Sequence, residues 1–363
     1  MKKLAILFGG ISTEHEVSVI TALQLIKNAD KNKYEILPIY IDKSGNWWTG
    51  EKLLEKDYYK DQNLFKPKKL EPFSTDLQTS DIDVAILCFH GEYGEGGNIQ
   101  GLLELAGIPY QGPGVLGSAV AMDKISFRQI LKAEGISQAD FLYFTQADFD
   151  KNKKEIFNKI VNNLKLPVYI KPSRSGSSIG VVKVDKEKEL DKKIKEALKL
   201  DSRILVEKEI EDCIEINVAV LGDQEKAVAS VAEQPIKSEE LLSFADKYEK
   251  GSGKKSGMAS ATRRIPAPIS SELTKKAQDL ALRIFKIFDF SGVVRTDFFV
   301  NPSTEEIFVT ESNTIPGSMS FYLFEADGMD YSELIDKLVE IAINTHKRKG
   351  GLIKSFDTNI LEK

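Results

Sequence analysis

The chain opens on Leu4-Ala5-Ile6-Leu7-Phe8, a short apolar run that closes on Gly9-Gly10 and leads into a helix-like stretch. This order, strand then glycine turn then helix, limits the fold more than any other feature. Glycines at such a turn let backbone amides face a ligand at the helix N-terminus. The alternation continues, with strands expected at 3–8, 35–41 and 82–89 and helices at 16–28 and 98–106. That is the pattern of a parallel sheet covered by helices. Further strands are expected at 167–172, 179–184, 203–207, 214–221, 226–232, 293–300 and 306–311. Helices are expected at 117–134, 152–163, 187–199, 270–287 and 331–347. In this later part consecutive strands read as antiparallel ribbons, so the fold class is mixed: α/β first, then α+β.

The length of 363 residues suits two or three domains. With 50 basic and 55 acidic residues, net charge is -5, so there is no electrostatic reason to seek nucleic acid or an anionic membrane. No apolar run is long enough to span a bilayer. The first strand is too short for a secretory leader, so the expected location is the cytoplasm. Cys88 and Cys213 sit in apolar strand-like runs and read as buried free thiols. His15, His90 and His346 are the only histidines, too few to favour a zinc site.

Several strand ends carry chemistry. Glu14 and Glu16 favour the positive end of the first helix dipole, which reads equally as a ligand site or a well-started helix. His90-Gly91 ends the strand at 82–89; ligands of open α/β sheets lie beyond such ends, so His90 and Glu14 are expected over one crevice. Lys171-Pro-Ser-Arg-Ser-Gly-Ser-Ser178 runs from a strand into a Ser/Gly loop that can wrap phosphates with amides and hydroxyls. It is not a Walker loop, because a strand follows it. Glu207 and Glu215 read, on composition alone, as exposed strand ends.

Arg295-Thr-Asp297 lies in an apolar strand and Glu311-Ser-Asn313 ends the next. The outer residues of each triplet share a face, so Arg295, Asp297, Glu311 and Asn313 are expected on one surface. Two carboxylates and an amide oxygen suit a hard divalent cation. A salt-bridge network centred on Arg295 is the competing reading; burying that many charges without a ligand is costly, which favours the metal.

Taken together, Gly9-Gly10-x-Ser-x-Glu14-x-Glu16, His90-Gly91, Met122-Asp123-Lys124, Lys171–Ser178, Glu207-Lys208, Arg295-x-Asp297 and Glu311-x-Asn313-Thr-x-Pro316-Gly317 resemble the D-alanine–D-alanine ligases of the ATP-grasp superfamily. The resemblance runs in order from Gly9 to Gly317. It implies three domains: 1–122 with a doubly wound parallel sheet, 123–212, and 213–363 with a lid near 235–264.

It implies ATP bound by Lys124, Lys171 and Ser178, with adenine at Glu207, Lys208 and Ile210 and ribose at Glu215. Phe299 and Lys247 complete the nucleotide contacts. Asp297, Glu311 and Asn313 would bind two Mg²⁺ ions, or Mn²⁺. Glu14, Ser177 and the lid residue Tyr248 would place the first D-alanine, and Arg295 with the amide of Gly317 would stabilise an oxyanion. His90, Tyr322 and Leu323 fall near the second substrate.

The implied reaction is dipeptide formation through an acyl-phosphate for cell-wall precursor synthesis, by a homodimer acting on small molecules. Tyr322 replaces the serine usual in this family. That departure keeps open another second substrate, such as D-serine or D-lactate. A nucleotide-binding regulator without catalysis is disfavoured by the intact Arg295, Asp297, Glu311 and Asn313.

Overall fold

The computed structural model describes residues 1–60, 64–236, 263–356 and 361, and three sheets organise them. The first contains β1 (Lys2–Gly9), β2 (Tyr34–Ile41), β3 (Trp47–Thr49), β4 (Glu71–Pro72) and β5 (Val84–Leu87), in the order β4-β3-β2-β1-β5. β1 is parallel to both β2 and β5. Its apolar run is fully buried, as expected for a parallel centre covered on its faces. β3 and β4 add an antiparallel edge that is too short to show a period in sequence.

The second sheet holds β6 (Phe141–Thr145), β7 (Val168–Pro172), β8 (Val182–Val184) and β9 (Arg203–Lys208), in the order β6-β9-β7-β8. The third holds β10 (Ile214–Gly222), β11 (Ala227–Pro235), β12 (Arg263–Arg264), β13 (Gly292–Val300) and β14 (Ile307–Asn313), in the order β12-β11-β10-β13-β14. Neighbours in both are antiparallel, as the consecutive strand patterns indicate.

Each sheet has its own core, but chain order and core membership differ at two places. Leu334, Ile335 and Leu338 of the C-terminal helix Tyr331–Gly350 pack into the core of the first sheet. Phe127 and Leu131 of the helix Lys124–Ala133 pack with the third sheet rather than the second.

Three expectations need correction. The helix expected at 117–134 is broken at Asp123, whose backbone is extended and whose carboxylate accepts from Ser126 N at 2.8 Å, starting a new helix. The helix expected at 152–163 starts earlier, at Gln146, because Thr145 and Asp148 cap each other reciprocally. Cys213 is partly exposed, unlike the buried Cys88. Among the described residues no helix is long and apolar enough to cross a membrane.

Candidate active site

The cleft lies where the strand ends of the first sheet, the loop after β7 and the face of the third sheet meet. β1 and β5 are neighbours, so Glu14 and His90 leave the same edge. Glu14 precedes the helix His15–Asn28 but makes no side-chain cap. Its carboxylate instead accepts from Ser177 Oγ, across the cleft. A Cβ on Gly176 would lie 2.5 Å from Glu14 Oε2, so any side chain there would press on that carboxylate.

The loop after β7 is held from several sides. Lys124 Nζ donates to Ser175 O at 2.7 Å, and Ile125 N donates to Ser173 Oγ at 3.3 Å. Arg174 grips Asp201 with two nitrogens at 3.1 and 2.7 Å and reaches Glu92 at 3.2 Å. The arginine thus staples the loop to its surroundings. Ser177 and Ser178 both take positive φ, 47° and 60°.

The third sheet supplies a charged row. Asp297 stands opposite Asn217 on β10 and Glu311 on β14; Asn217 stands opposite Glu233 on β11. Arg295 forks onto Asp297 with both contacts at 2.7 Å, and Asn313 Nδ2 donates to Asp297 Oδ2 at 3.1 Å. Burial pushes the Asp297 carboxyl up to about 6 against the pull of Arg295, and Glu311 and Glu215 add to the rise. Phe299 lies opposite Glu215. Lys124 Nζ also lies 3.5 Å from Glu311, which joins the β7 loop to this face.

The strand-end reading of Glu207 is overturned. The residue is only 3% exposed. Burial raises its carboxyl, but ion pairs with Arg128 and Lys171 more than offset this and hold it below the ordinary value. Arg128 went unnoticed in the sequence, although it lies four residues after Lys124 on one helix face. Lys208 is exposed just beyond it, and Ile210 follows at the strand end.

His90 is buried, and its Nε2 lies 3.1 Å from Thr21 Oγ1, which accepts from Ser318 N at 3.2 Å. Burial, then Arg295, lowers the imidazole to about 4, so it is neutral at pH 7. Glu95, also unremarked in sequence, accepts from Gly91 N at 2.9 Å and Ile315 N at 3.3 Å. Burial, then Glu14, pushes it up to about 8, and Glu311 contributes.

Tyr322 is buried, and its hydroxyl donates to Glu233 Oε1 at 3.0 Å. Burial and Glu233 raise it to about 12 against Arg295 and Arg263. The side chain of Leu323 is wholly enclosed in the first core, so it faces away from the cleft. Gly317 begins the buried turn Gly317–Ser320. Lys247 and Tyr248 lie outside the described residues, as does almost all of the expected lid at 235–264.

Asp297 and Glu311 supply carboxylate oxygens and Asn313 an amide oxygen on neighbouring strands, and this chemistry fits a hard divalent cation. Among the described residues no group of three His, Cys, Asp or Glu side chains could hold a metal ion. The donor set is therefore two carboxylates and an amide.

Two antiparallel sheets closing lysines and paired carboxylates into one cleft, beside an α/β first unit, define an enzyme of the ATP-grasp class. A family model described as the N-terminus of D-ala D-ala ligase matches residues 3–113, and one described as its C-terminus matches 130–340. The chain belongs to the D-alanine–D-alanine ligase family. It is 41% identical to the D-alanine–D-alanine ligase of Clostridium novyi, over 94% of this chain and 98% of that relative. Among solved structures, the D-alanine–D-alanine ligase of Coxiella burnetii superposes with a TM-score of 0.80 at 30% identity, over 96% of this chain and 97% of that one. The VanG D-Ala:D-Ser ligase of Enterococcus faecalis superposes with a TM-score of 0.79 at 34% identity, over 94% of this chain and 99% of that one.

Proposed function

We infer that the protein joins two D-alanines into D-alanyl-D-alanine at the expense of ATP, through a D-alanyl-phosphate. The observation that carries this reading is the meeting of Glu14 and Ser177 across the cleft, beside the Lys124–Glu311 contact. The reading is supported by a carboxylate suited to an ammonium standing near groups suited to a phosphate and a cation.

Glu14, oriented by Ser177, receives the ammonium of the first D-alanine. The carboxylate of that D-alanine attacks the γ-phosphate of ATP, and ADP leaves. Lys124 and Lys171 offset charge on the phosphates, with Ser178 and neighbouring loop amides around them. The amine of the second D-alanine then attacks the acyl carbon, phosphate leaves, and the amine loses its proton. Arg295 and the Gly317 amide stabilise the oxyanion, and Asp297 holds the guanidinium plane in place. Asp297, Glu311 and Asn313 would hold two Mg²⁺ or Mn²⁺ ions, which supply charge neutralisation at the phosphates.

We place adenine at Glu207, Lys208 and Ile210, ribose at Glu215 and a further contact at Phe299. His90 and the backbone at Leu323 border the second substrate, and Lys247 and Tyr248 serve the lid. The working division is 1–122, 123–212 and 213–363, supported by the three sheets. We propose a homodimer formed through the first unit.

Phosphate release should be measured with ATP and Mg²⁺ against D-alanine, D-serine, D-lactate and L-amino acids. The reading expects release with D-alanine alone and a dipeptide product. Release only when another nucleophile joins D-alanine would select a variant ligase; ATP binding without turnover would point to a regulator.

A further inference from the structure

Tyr322 stands where the family pattern carries a small hydroxyl for the second substrate's carboxylate, and its surroundings do not suit that task. A phenol has one proton, and here it goes to Glu233 at 3.0 Å. Glu233 is 1% exposed and takes that one proton in a hydrogen bond, so Tyr322 has no donor left for a carboxylate. Arg295 is forked onto Asp297.

A second arginine lies on the other side of the phenol. The guanidinium of Arg263 sits 3.8 Å over the Tyr322 ring, and its Nη1 donates to Glu233 Oε2 at 2.9 Å. Its side chain is 11% exposed, and β12 places it at the end of the charged row formed by Glu233, Asn217, Asp297 and Glu311. Stacking on an aromatic face fixes a guanidinium's plane, and its five N–H donors allow it to bridge two carboxylates.

We propose that Arg263, set on the ring of Tyr322 and oriented by Glu233, anchors the α-carboxylate of the second amino acid. Tyr322 is then the platform for the anchor, and Glu233 fixes its direction. The charged row thus handles both ends of the reaction: phosphate and cation at Asp297 and Glu311, the incoming carboxylate at Arg263. This proposal rests on the ligase reading.

The test compares D-alanine with D-alaninamide as second nucleophile, using D-alanine as first substrate and mass spectrometry to separate dipeptide from dipeptide amide. D-alaninamide lacks the carboxylate that attacks ATP, so it can react only as the second nucleophile. Replacement of Arg263 by glutamine should lower kcat/KM for D-alanine in the second site about ten- to a hundredfold, the usual effect of losing a charged hydrogen bond. D-alaninamide should lose far less, and KM for ATP should not move. R263K should fall between, and if R263Q does not unfold cooperatively, R263K alone decides by the same ratio. An unchanged preference for D-alanine over its amide in the variant overturns the anchor while the ligase reading stands. No product from either nucleophile with the unaltered protein overturns both.

Discussion

Buried ionisable side chains carry the cleft's chemistry, and each can be probed singly. The Glu14 side chain does not cap its own helix and instead accepts from Ser177 Oγ, which is the basis for proposing it as the anchor of a substrate ammonium. Glu14→Gln should raise KM for the first D-alanine by about ten- to a hundredfold and leave KM for ATP nearly unchanged, as initial rates at varied D-alanine would show.

His90 gives a pH signature. Its imidazole titrates near 4 in the folded chain and near 6.5 when unfolded, so folding favours the neutral form. That contribution is complete above pH 6.5 and is lost as pH falls towards 4. Urea midpoints from pH 7 to pH 4 should therefore fall more steeply for the unaltered protein than for His90→Asn. Parallel slopes would mean that His90 is solvated. Three successive left-handed residues, Ser318, Met319 and Ser320, cost energy at this same place. The contact of Ser318 N with Thr21, beside His90, helps hold them.

Among the elements, the loop after β7 decides whether the first two units cooperate. Gly176→Ala puts a methyl group against the Glu14 carboxylate and should displace the loop from Glu14. Such a displacement of substrate-positioning groups costs roughly a hundredfold in kcat/KM. The same change should cost under about 1 kcal/mol of stability, because this surface loop is outside the core. Equal rates by phosphate-release assay would contradict the docked loop. Arg128 ties its helix to Glu207 of β9 and to the Val309 carbonyl of β14. Arg128→Met leaves the buried Glu207 carboxylate with Lys171 as its ion-pair partner and should lower stability by about 1–3 kcal/mol in denaturant titration, with a raised KM for ATP.

The long strands and helices were legible because their periods are sustained over eight or more residues. The convergence of Arg295, Asp297, Glu311 and Asn313 was legible for a related reason: a period of two places alternate residues on one face. Glu95, Arg128, Glu233 and Arg263 were not, because each acquires its role from a partner on another element. A charged residue in a helix or at a strand start carries no local sign of such a partner. Asp123 was missed differently. The apolar pattern runs through it, and only its capping bond reveals the break.

In the molecule as a whole, chain order and packing order diverge. The last helix returns to the first core, and the helix after Asp123 belongs with the third sheet. This interleaving ties the sheet that supplies Glu14 to the sheet that supplies Asp297 and Glu311, so the cleft is bounded by elements that share cores. Such an arrangement suits a two-step reaction in which an unstable acyl-phosphate must meet an amine before water reaches it.

The most direct measurement of the central claim follows an oxygen atom. The protein is incubated with ATP, Mg²⁺ and D-alanine carrying ¹⁸O in its carboxyl group, and the products are weighed by mass spectrometry. Attack of the first carboxylate on the γ-phosphate predicts dipeptide formation with one ¹⁸O transferred into each phosphate released. Dipeptide with unlabelled phosphate, or labelled D-alanine left unjoined while ATP is hydrolysed, would contradict the account.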